Sequence, residues 1–442
     1  MDSGHLITRP AMDSQTESVA GHEPTSTADH YDPLERRRPE VRELALFGAL
    51  REHLAYATAH APAYATLFSG IDPRDITSRE ALARIPVTRK SELKGLQARA
   101  RPLGGFNARP LETFAKLFVS PGPIYEVEGH GPNWWRTARA LHAAGFRRGD
   151  IMANTFAYHL TPAGSMFEAG AIACGCVVVP TGVGQTEIQV SAMADLGVNA
   201  YVGTPSFLGL LVDKADELKV NLSCLQKAVV SGEYLAPALR ARLAERGLSV
   251  MQSYATADFG LIAYESRAPG GAVCDGMVVD EGVLLEIVAP GTSDPVAEGE
   301  VGEVVVTNFN RDYPLIRFAL GDLSAVLQGP SPCGRTNTRI RGWLGRADQS
   351  VKVRGMFVHP SQVGDILRRH PEIKRARLIV DAVDGHDRMT LHCEAEPAAP
   401  ELAEAIDATV REITKLRGGV NVVSPGALPE DGRVIEDARK YE

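Results

Sequence analysis

Between about residues 114 and 325, short apolar runs alternate with amphipathic stretches of helical length, and this alternation restricts the fold more than any other feature of the chain. The apolar runs are IMANTF, CVVVP, AYVGTP and KAVVSG, and between them lie stretches such as TEIQVSAMADLG and SFLGLLVDKADELK. Strands separated by helices of that length pair through crossover connections, which implies βαβ units and a largely parallel sheet. Beyond residue 275 the pattern changes. GMVVDEGVLLEIVAP and VGEVVVTNFN alternate along each run and are joined by Gly-containing turns, as in a small antiparallel sheet or barrel.

The flanks differ in character. Residues 1–31 are rich in Ser, Thr, Asp, Gly and His, too polar to offset the entropy of ordering, and are expected to form a disordered tail. PEVRELALFGALREHLAYATAH then spaces apolar residues at helical intervals up to Pro62. PVTRKSELKGL reads as a turn entering a helix, with Thr88 or Ser91 as N-cap. The last hundred residues give strand, helix, strand, strand, a helix PELAEAIDATVREITKLRG and a short strand VNVVSP. The expected class is α/β: a large N-terminal domain over 32–344 with mixed or parallel sheets and a small antiparallel β subdomain, then a small α+β domain over 345–442.

Charge and composition exclude several roles. The 55 acidic and 47 basic side chains leave a net charge of −8, which argues against nucleic acid or an anionic membrane as partner. No apolar run approaches the roughly eighteen residues that span a bilayer, and the polar N-terminus is not a secretion signal. Six scattered cysteines do not make a disulfide scaffold. A cytoplasmic location is expected.

Several short segments could carry chemistry. In SYATADFGLIAYES an aromatic, a hydroxyl and a carboxylate follow a strand: Tyr254 can stack a base, Thr256 can reach a phosphate oxygen and Asp258 can hold magnesium. The same residues also read as a strand end followed by an Asp-capped helix. RDYPLIRFALGDLS ends in Gly321-Asp322, where the carboxylate could accept from ribose hydroxyls or simply make a turn. GRADQSVKVRG sets Arg346, Asp348, Lys352 and Arg354 among glycines at the domain junction, either as a hinge with a phosphate- or ribose-facing Arg or as a solvated linker. Cys174 and Cys176 lie in GAIACGCVVV, expected as an apolar strand, and read as buried thiols. No GxxxxGK[ST] or GxGxxG loop stands in a suitable place.

The order of the segments is more specific than any one of them. YDPLERR, PVTRKSEL, GTPSF, SGE, YATADFG, YPLIRFALGDL, CGRT, GRADQSVKVRG, FVHPSQV and a terminal DAR together resemble the phenylacetate–CoA ligase family of the acyl-adenylate-forming superfamily. The resemblance spans residues 31–442 and implies an adenylation domain with a mobile C-terminal domain. The implied reaction activates a hydrophobic or aromatic carboxylic acid with ATP as acyl-AMP, then transfers the acyl group to CoA. Carried over by residue, Tyr254 resembles the adenine-stacking aromatic, and Ser231, Gly232 and Glu233 the segment flanking the adenine. Asp258 resembles the magnesium ligand, Asp322 the ribose carboxylate and Arg346 the hinge arginine. Asp348 and Gln349 fall at the pivot, and Tyr158 and His159 beside the acyl pocket. The implied cofactors are ATP/AMP, Mg2+ and CoA, and the resemblance suggests a homodimer.

The departures are as informative. Where the family carries a Ser/Thr/Gly-rich phosphate loop, this chain reads LFVSPGPIYEVEG, and proline has no N–H to offer a phosphate. The hydroxyl before the acid is Ala257, and in place of the C-terminal lysine the chain offers Arg433 or Lys440. Some relatives carry a Cys/His cluster near the positions of Ser266, Val278 and Cys333; only the last is Cys here, so no zinc is expected. Two alternatives stay open: a carrier-protein thiol or an amine as acyl acceptor, and a nucleotide-binding pseudoenzyme that has lost its phosphate machinery.

Overall fold

The computed structural model describes residues 30–347, 351–358, 360–383, 386–396, 400–431 and 433–439. The expected tail, residues 1–31, falls almost wholly outside them, as do Asp348, Gln349 and Lys440. Among the described residues, strands Val177–Val179, Ile151–Asn154, Ala200–Gly203, Lys227–Val230 and Ser249–Thr256 lie side by side and run parallel. They form one half of a nine-stranded sheet, and the antiparallel strands Gly260–Tyr264, Met277–Val279, Arg339–Ile340 and Val326–Leu327 complete it. The connections are helices. Pro205–Leu218 shows why the local sequence folds so: Pro205 fits its first turn, the Thr204 hydroxyl accepts from Phe207 N at 3.3 Å, and Leu208, Leu211, Val212 and Ala215 bury one face.

A second sheet holds Val283–Val288, Gly302–Asn308 and Phe318–Ser324 antiparallel. Its far edge is made by residues distant in sequence. Thr88–Arg89 pairs in parallel with Phe318 and Ala319, so the helix Lys90–Arg99 starts beside the strand that carries Asp322. This corrects the reading of Thr88 or Ser91 as N-cap: Thr88 is spent in a strand, and the helix starts at Lys90 with no side-chain cap. Farther along the same edge of Phe318–Ser324, Gly345–Arg346 pairs antiparallel and sets Arg346 opposite Asp322. Lys116–Ser120 and Ile124–Glu128 form a separate hairpin.

Residues 351–437 have a core of their own, centred on Val353, Val363, Ile366, Leu378, Val380, Leu391, Cys393 and Ile406. It lies within a four-stranded sheet of Gly419–Val423, His386–Ala395, Ile373–Val383 and Ile435–Asp437, covered by helices Pro360–Arg369 and Pro400–Thr414. No helix among the described residues is long and apolar enough to cross a membrane.

One buried acid fastens the first described segment to this scaffold. Glu35 is fully buried, accepts from the Tyr264 hydroxyl at 2.6 Å and the Tyr31 amide at 3.0 Å, and pairs with Arg335 at 3.2 Å. Removing one partner of a buried ion pair leaves the other charge without compensation, which costs about 3–5 kcal/mol. Glu35→Ala is therefore expected to lower the free energy of urea unfolding by about that amount. A loss below about 1 kcal/mol, the worth of an exposed pair, would show that Arg335 finds another counter-charge.

Candidate active site

Asp322 stands where the two sheets approach one another. It is 6% exposed, its Oδ2 accepts from the Tyr254 hydroxyl at 2.8 Å, and its Oδ1 accepts from Trp343 Nε1 at 3.0 Å and Arg346 Nη1 at 2.9 Å. Gly321 permits the last contact: its φ is +74°, and a Cβ there would come within 2.8 Å of Arg346 Nη2. Three donors take three of the roughly four lone-pair positions of a carboxylate, so Oδ2 can accept once more. Burial, and then the neighbouring Asp322 charge, push the Tyr254 hydroxyl well above its ordinary pKa, so it stays a donor. The structure thus joins three expected residues, Tyr254, Asp322 and Arg346, and adds Trp343, which the sequence reading missed.

Ser231, Gly232 and Glu233 follow the parallel strand Lys227–Val230. The Ser231 hydroxyl donates to Ser253 O at 2.9 Å, and Gln252 Nε2 donates to Glu233 O at 3.0 Å, which ties the segment to the strand bearing Tyr254. Gly232 has φ +80°, and its carbonyl oxygen accepts from Lys352 Nζ. Lys352 lies on the strand Val351–Val353, at the start of the C-terminal unit. Burial lowers its pKa, opposed by the charges of Glu233 and Asp322.

The segment SYATADFG is strand, turn, strand. Ser249–Thr256 and Gly260–Tyr264 pair antiparallel, and Thr256 lies opposite Gly260. The Asp-capped-helix reading is thereby corrected, because the chain reverses at Ala257–Phe259 to extend the sheet. Asp258 at this turn is 4% exposed; its Oδ2 accepts from Thr256 Oγ1 at 3.0 Å, and its Oδ1 is ion-paired with Lys90 Nζ.

The hairpin at the expected phosphate-loop position faces the same spot. Glu126 is 1% exposed and accepts from the Ser120 amide at 3.2 Å and from the Ser120 hydroxyl. Burial, reinforced by the Asp258 charge, raises its pKa to about 8, with Ser120 and Lys90 opposing. One ammonium serves two buried carboxyls, so Glu126 keeps its proton near neutrality. Tyr313 is buried beside both acids, and burial with their charges raises its pKa. Neither Lys90 nor Glu126 was singled out as a site residue from sequence. Lys90 lay in the quoted PVTRKSEL and Glu126 in LFVSPGPIYEVEG, and no local spacing links them to Asp258.

The remaining candidates are scattered. Tyr158 is half-buried, donates to Glu168 Oε2 at 2.7 Å and accepts from Asn154 Nδ2 at 2.9 Å, whereas His159 is exposed. Arg433 is exposed; its amide donates to Asp431 at 3.0 Å, and it lines a cavity of about 240 Å³ with Lys374, Arg375 and Arg377 in the C-terminal unit. The strand expected over GAIACGCVVV is corrected: its first half ends the helix Ala163–Ala173 with Cys174, half-buried, as C-cap, and the buried Cys176 precedes the edge strand Val177–Val179. Among the described residues no group of three or more His, Cys, Asp or Glu is placed to hold a metal ion.

Comparison with known proteins gives concordant matches. Residues 130–310 match the family model described as AMP-binding enzyme. The chain is 32% identical over 379 residues to the phenylacetate–coenzyme A ligase of Thermus thermophilus, covering 81% of this chain and 82% of that one. It is 29% identical to the phenylacetate–coenzyme A ligase of Aromatoleum evansii, with 90% and 92% covered. Among solved structures, a 2-hydroxyisobutyryl-CoA ligase bound to its acyl-AMP and CoA superposes with a TM-score of 0.80 over 95% of both chains, at 24% identity.

The protonated Glu126 makes a pH signature. Its carboxyl is raised from the usual range to about 8 on folding, so the native state binds more protons across that window and loses stability as pH rises through it. Glu126→Gln removes this titration. The stability of wild type relative to the variant is expected to fall by roughly 1.4 kcal/mol per pH unit between about pH 5 and 8, then level off. Parallel urea titrations across that range check it, and a difference that does not change with pH contradicts it.

Proposed function

Because the chain belongs to the phenylacetate–coenzyme A ligase family of AMP-binding enzymes, we propose that the acid it activates is a hydrophobic or aromatic carboxylic acid. The reaction is ATP-dependent: the carboxylate is joined to AMP, and the acyl group then passes to the thiol of CoA. The observation that supports the site best is the convergence of Tyr254, Trp343 and Arg346 on Asp322, with one acceptor position left for a ribose hydroxyl. Ring stacking by Tyr254 and a hydrogen bond to Asp322 would hold the nucleoside, so that binding energy sets the α-phosphorus in line for attack by the carboxylate.

Asp258 is a reasonable place for Mg2+. It is a buried carboxylate that already holds a cation, the ammonium of Lys90, and the Thr256 hydroxyl beside it adds an oxygen of the kind a hard divalent ion prefers. Bound there, Mg2+ would offset charge on the phosphates. The unit from residue 345 onward is taken as the mobile domain, turning about 345–350 and carrying Arg433 and Lys440 toward the α-phosphate in one half-reaction. The acceptor is taken as CoA rather than a carrier protein, and the assembly as a homodimer. A second reading, a nucleotide-binding pseudoenzyme that has lost its phosphate machinery, is favoured by one feature: Pro121 and Pro123 remove two N–H groups from the hairpin turn.

The test is ATP–pyrophosphate exchange over a panel of carboxylic acids, followed by thioester formation with CoA. Aryl and other apolar acids are expected to support exchange. Failure of every acid, with AMP still bound, would favour the pseudoenzyme reading. Asp322→Ala is expected to weaken ATP and AMP alike by about 1.5–3 kcal/mol, the scale of hydrogen bonds to a charged group. Unchanged nucleotide affinity in calorimetry would move the nucleotide elsewhere.

A further inference from the structure

The hairpin Lys116–Ser120/Ile124–Glu128 poses a charge problem. It falls where the family resemblance places a phosphate-binding loop, yet its turn has two prolines, and its buried side chains include the carboxyl Glu126. A triphosphate arriving here meets two buried acids, Glu126 and Asp258, and few backbone donors. Compensation must come from outside the hairpin. Lys90 stands at the first position of the helix Lys90–Arg99, whose start carries no side-chain cap. The parallel pairing of Thr88–Arg89 with Phe318 and Ala319 anchors it next to the Asp322 strand. Its ammonium pairs with Asp258, and its charge acts on Glu126 and on Lys352.

We infer that Lys90 is a nucleotide-binding residue of this site: the ammonium that meets the β- and γ-phosphates of ATP, held ready by Asp258 beside Glu126. The inference rests on the proposed nucleotide reading and deepens it by assigning the phosphate end. The geometry has a direct consequence. The nucleoside is held at Asp322 by Tyr254 and Arg346, whereas Lys90 acts at the carboxyl pair, so Lys90 matters for the phosphates that ATP has and AMP lacks. The Lys352 ammonium belongs to the C-terminal unit and is acted on by Glu233 and Asp322, whereas Lys90 comes from the N-terminal part of the chain and pairs with Asp258. A lysine suits the task, since a compact ammonium can leave one oxygen for another, where a guanidinium fork is fixed to a planar partner.

The experiment is calorimetry of the full chain with ATP, pyrophosphate and AMP, comparing wild type, Lys90→Ala and Lys90→Arg, with thermal unfolding as control. Lys90→Ala is expected to weaken ATP and pyrophosphate by about 10- to 100-fold while AMP stays within about twofold, and Lys90→Arg to recover part of the loss. Equal weakening of ATP and AMP would mean that Lys90 only supports the fold around Asp258, and no weakening of either would place the phosphates elsewhere. Both outcomes overturn the inference. If Lys90→Ala unfolds, the ATP-to-AMP affinity ratio of Lys90→Arg decides: an unchanged ratio overturns it. Wild type that binds ATP but exchanges no pyrophosphate with any acid would count against the ligase reading and leave this comparison intact.

Discussion

The carboxylate of Asp322 joins three pieces of the chain that are distant in sequence. Tyr254 reaches it from the nine-stranded sheet, Asp322 itself lies on the second sheet, and Trp343 and Arg346 come from the segment that leads into the C-terminal unit. A buried carboxylate is tolerable only when its acceptors are met. The pieces are therefore constrained to converge within hydrogen-bond distance of one another. Gly321 is part of the same constraint, because any side chain there would push Arg346 away. A ligand that takes the last acceptor position joins a network that already couples the two sheets to the start of the C-terminal unit. Interactions in a shared low-dielectric network reinforce one another, so occupancy at Asp322 bears on how Trp343 and Arg346 are held.

Much of this could be read along the chain, and what could not has a common cause. Strand–helix alternation is a local periodicity, and the parallel strands fall where IMANTF, CVVVP, AYVGTP and KAVVSG lie. Gly321-Asp322 and SYATADFG were visible because each packs its chemistry into a few consecutive residues. The turn after Thr256 was ambiguous for the same reason: Ala-Asp-Phe-Gly can cap a helix or reverse a strand, and the competition is decided by whether a sheet edge is there to pair with. Lys90 and Glu126 left no trace of that kind. They come to Asp258 only through the pairing of Thr88–Arg89 with Phe318–Ala319 and through the register of the hairpin. Long-range strand pairing of this sort has no local period. The case of Thr88 is instructive, since its hydroxyl suits a helix cap and its backbone was claimed by a strand.

If the hairpin lies at the phosphate end of the site, as proposed, its charge balance is met by different means. A loop of amides and hydroxyls binds phosphate with many weak donors fixed in place, which is effective because fixed dipoles need no reorganisation as charge develops. With Pro121 and Pro123 in the turn, that route is largely closed. Glu126 alone would make matters worse if ionised, but burial beside Asp258 keeps its proton on, so the hairpin presents a nearly neutral face. The balance left over is one carboxylate, Asp258, against one ammonium, Lys90. A site arranged this way is neutral when empty and gains net positive charge toward phosphate only as far as Asp258 is given another cation. If Asp258 holds a divalent cation, as proposed, affinity for the triphosphate and occupancy of Asp258 would be coupled through the ammonium of Lys90 that the carboxylate otherwise pairs with.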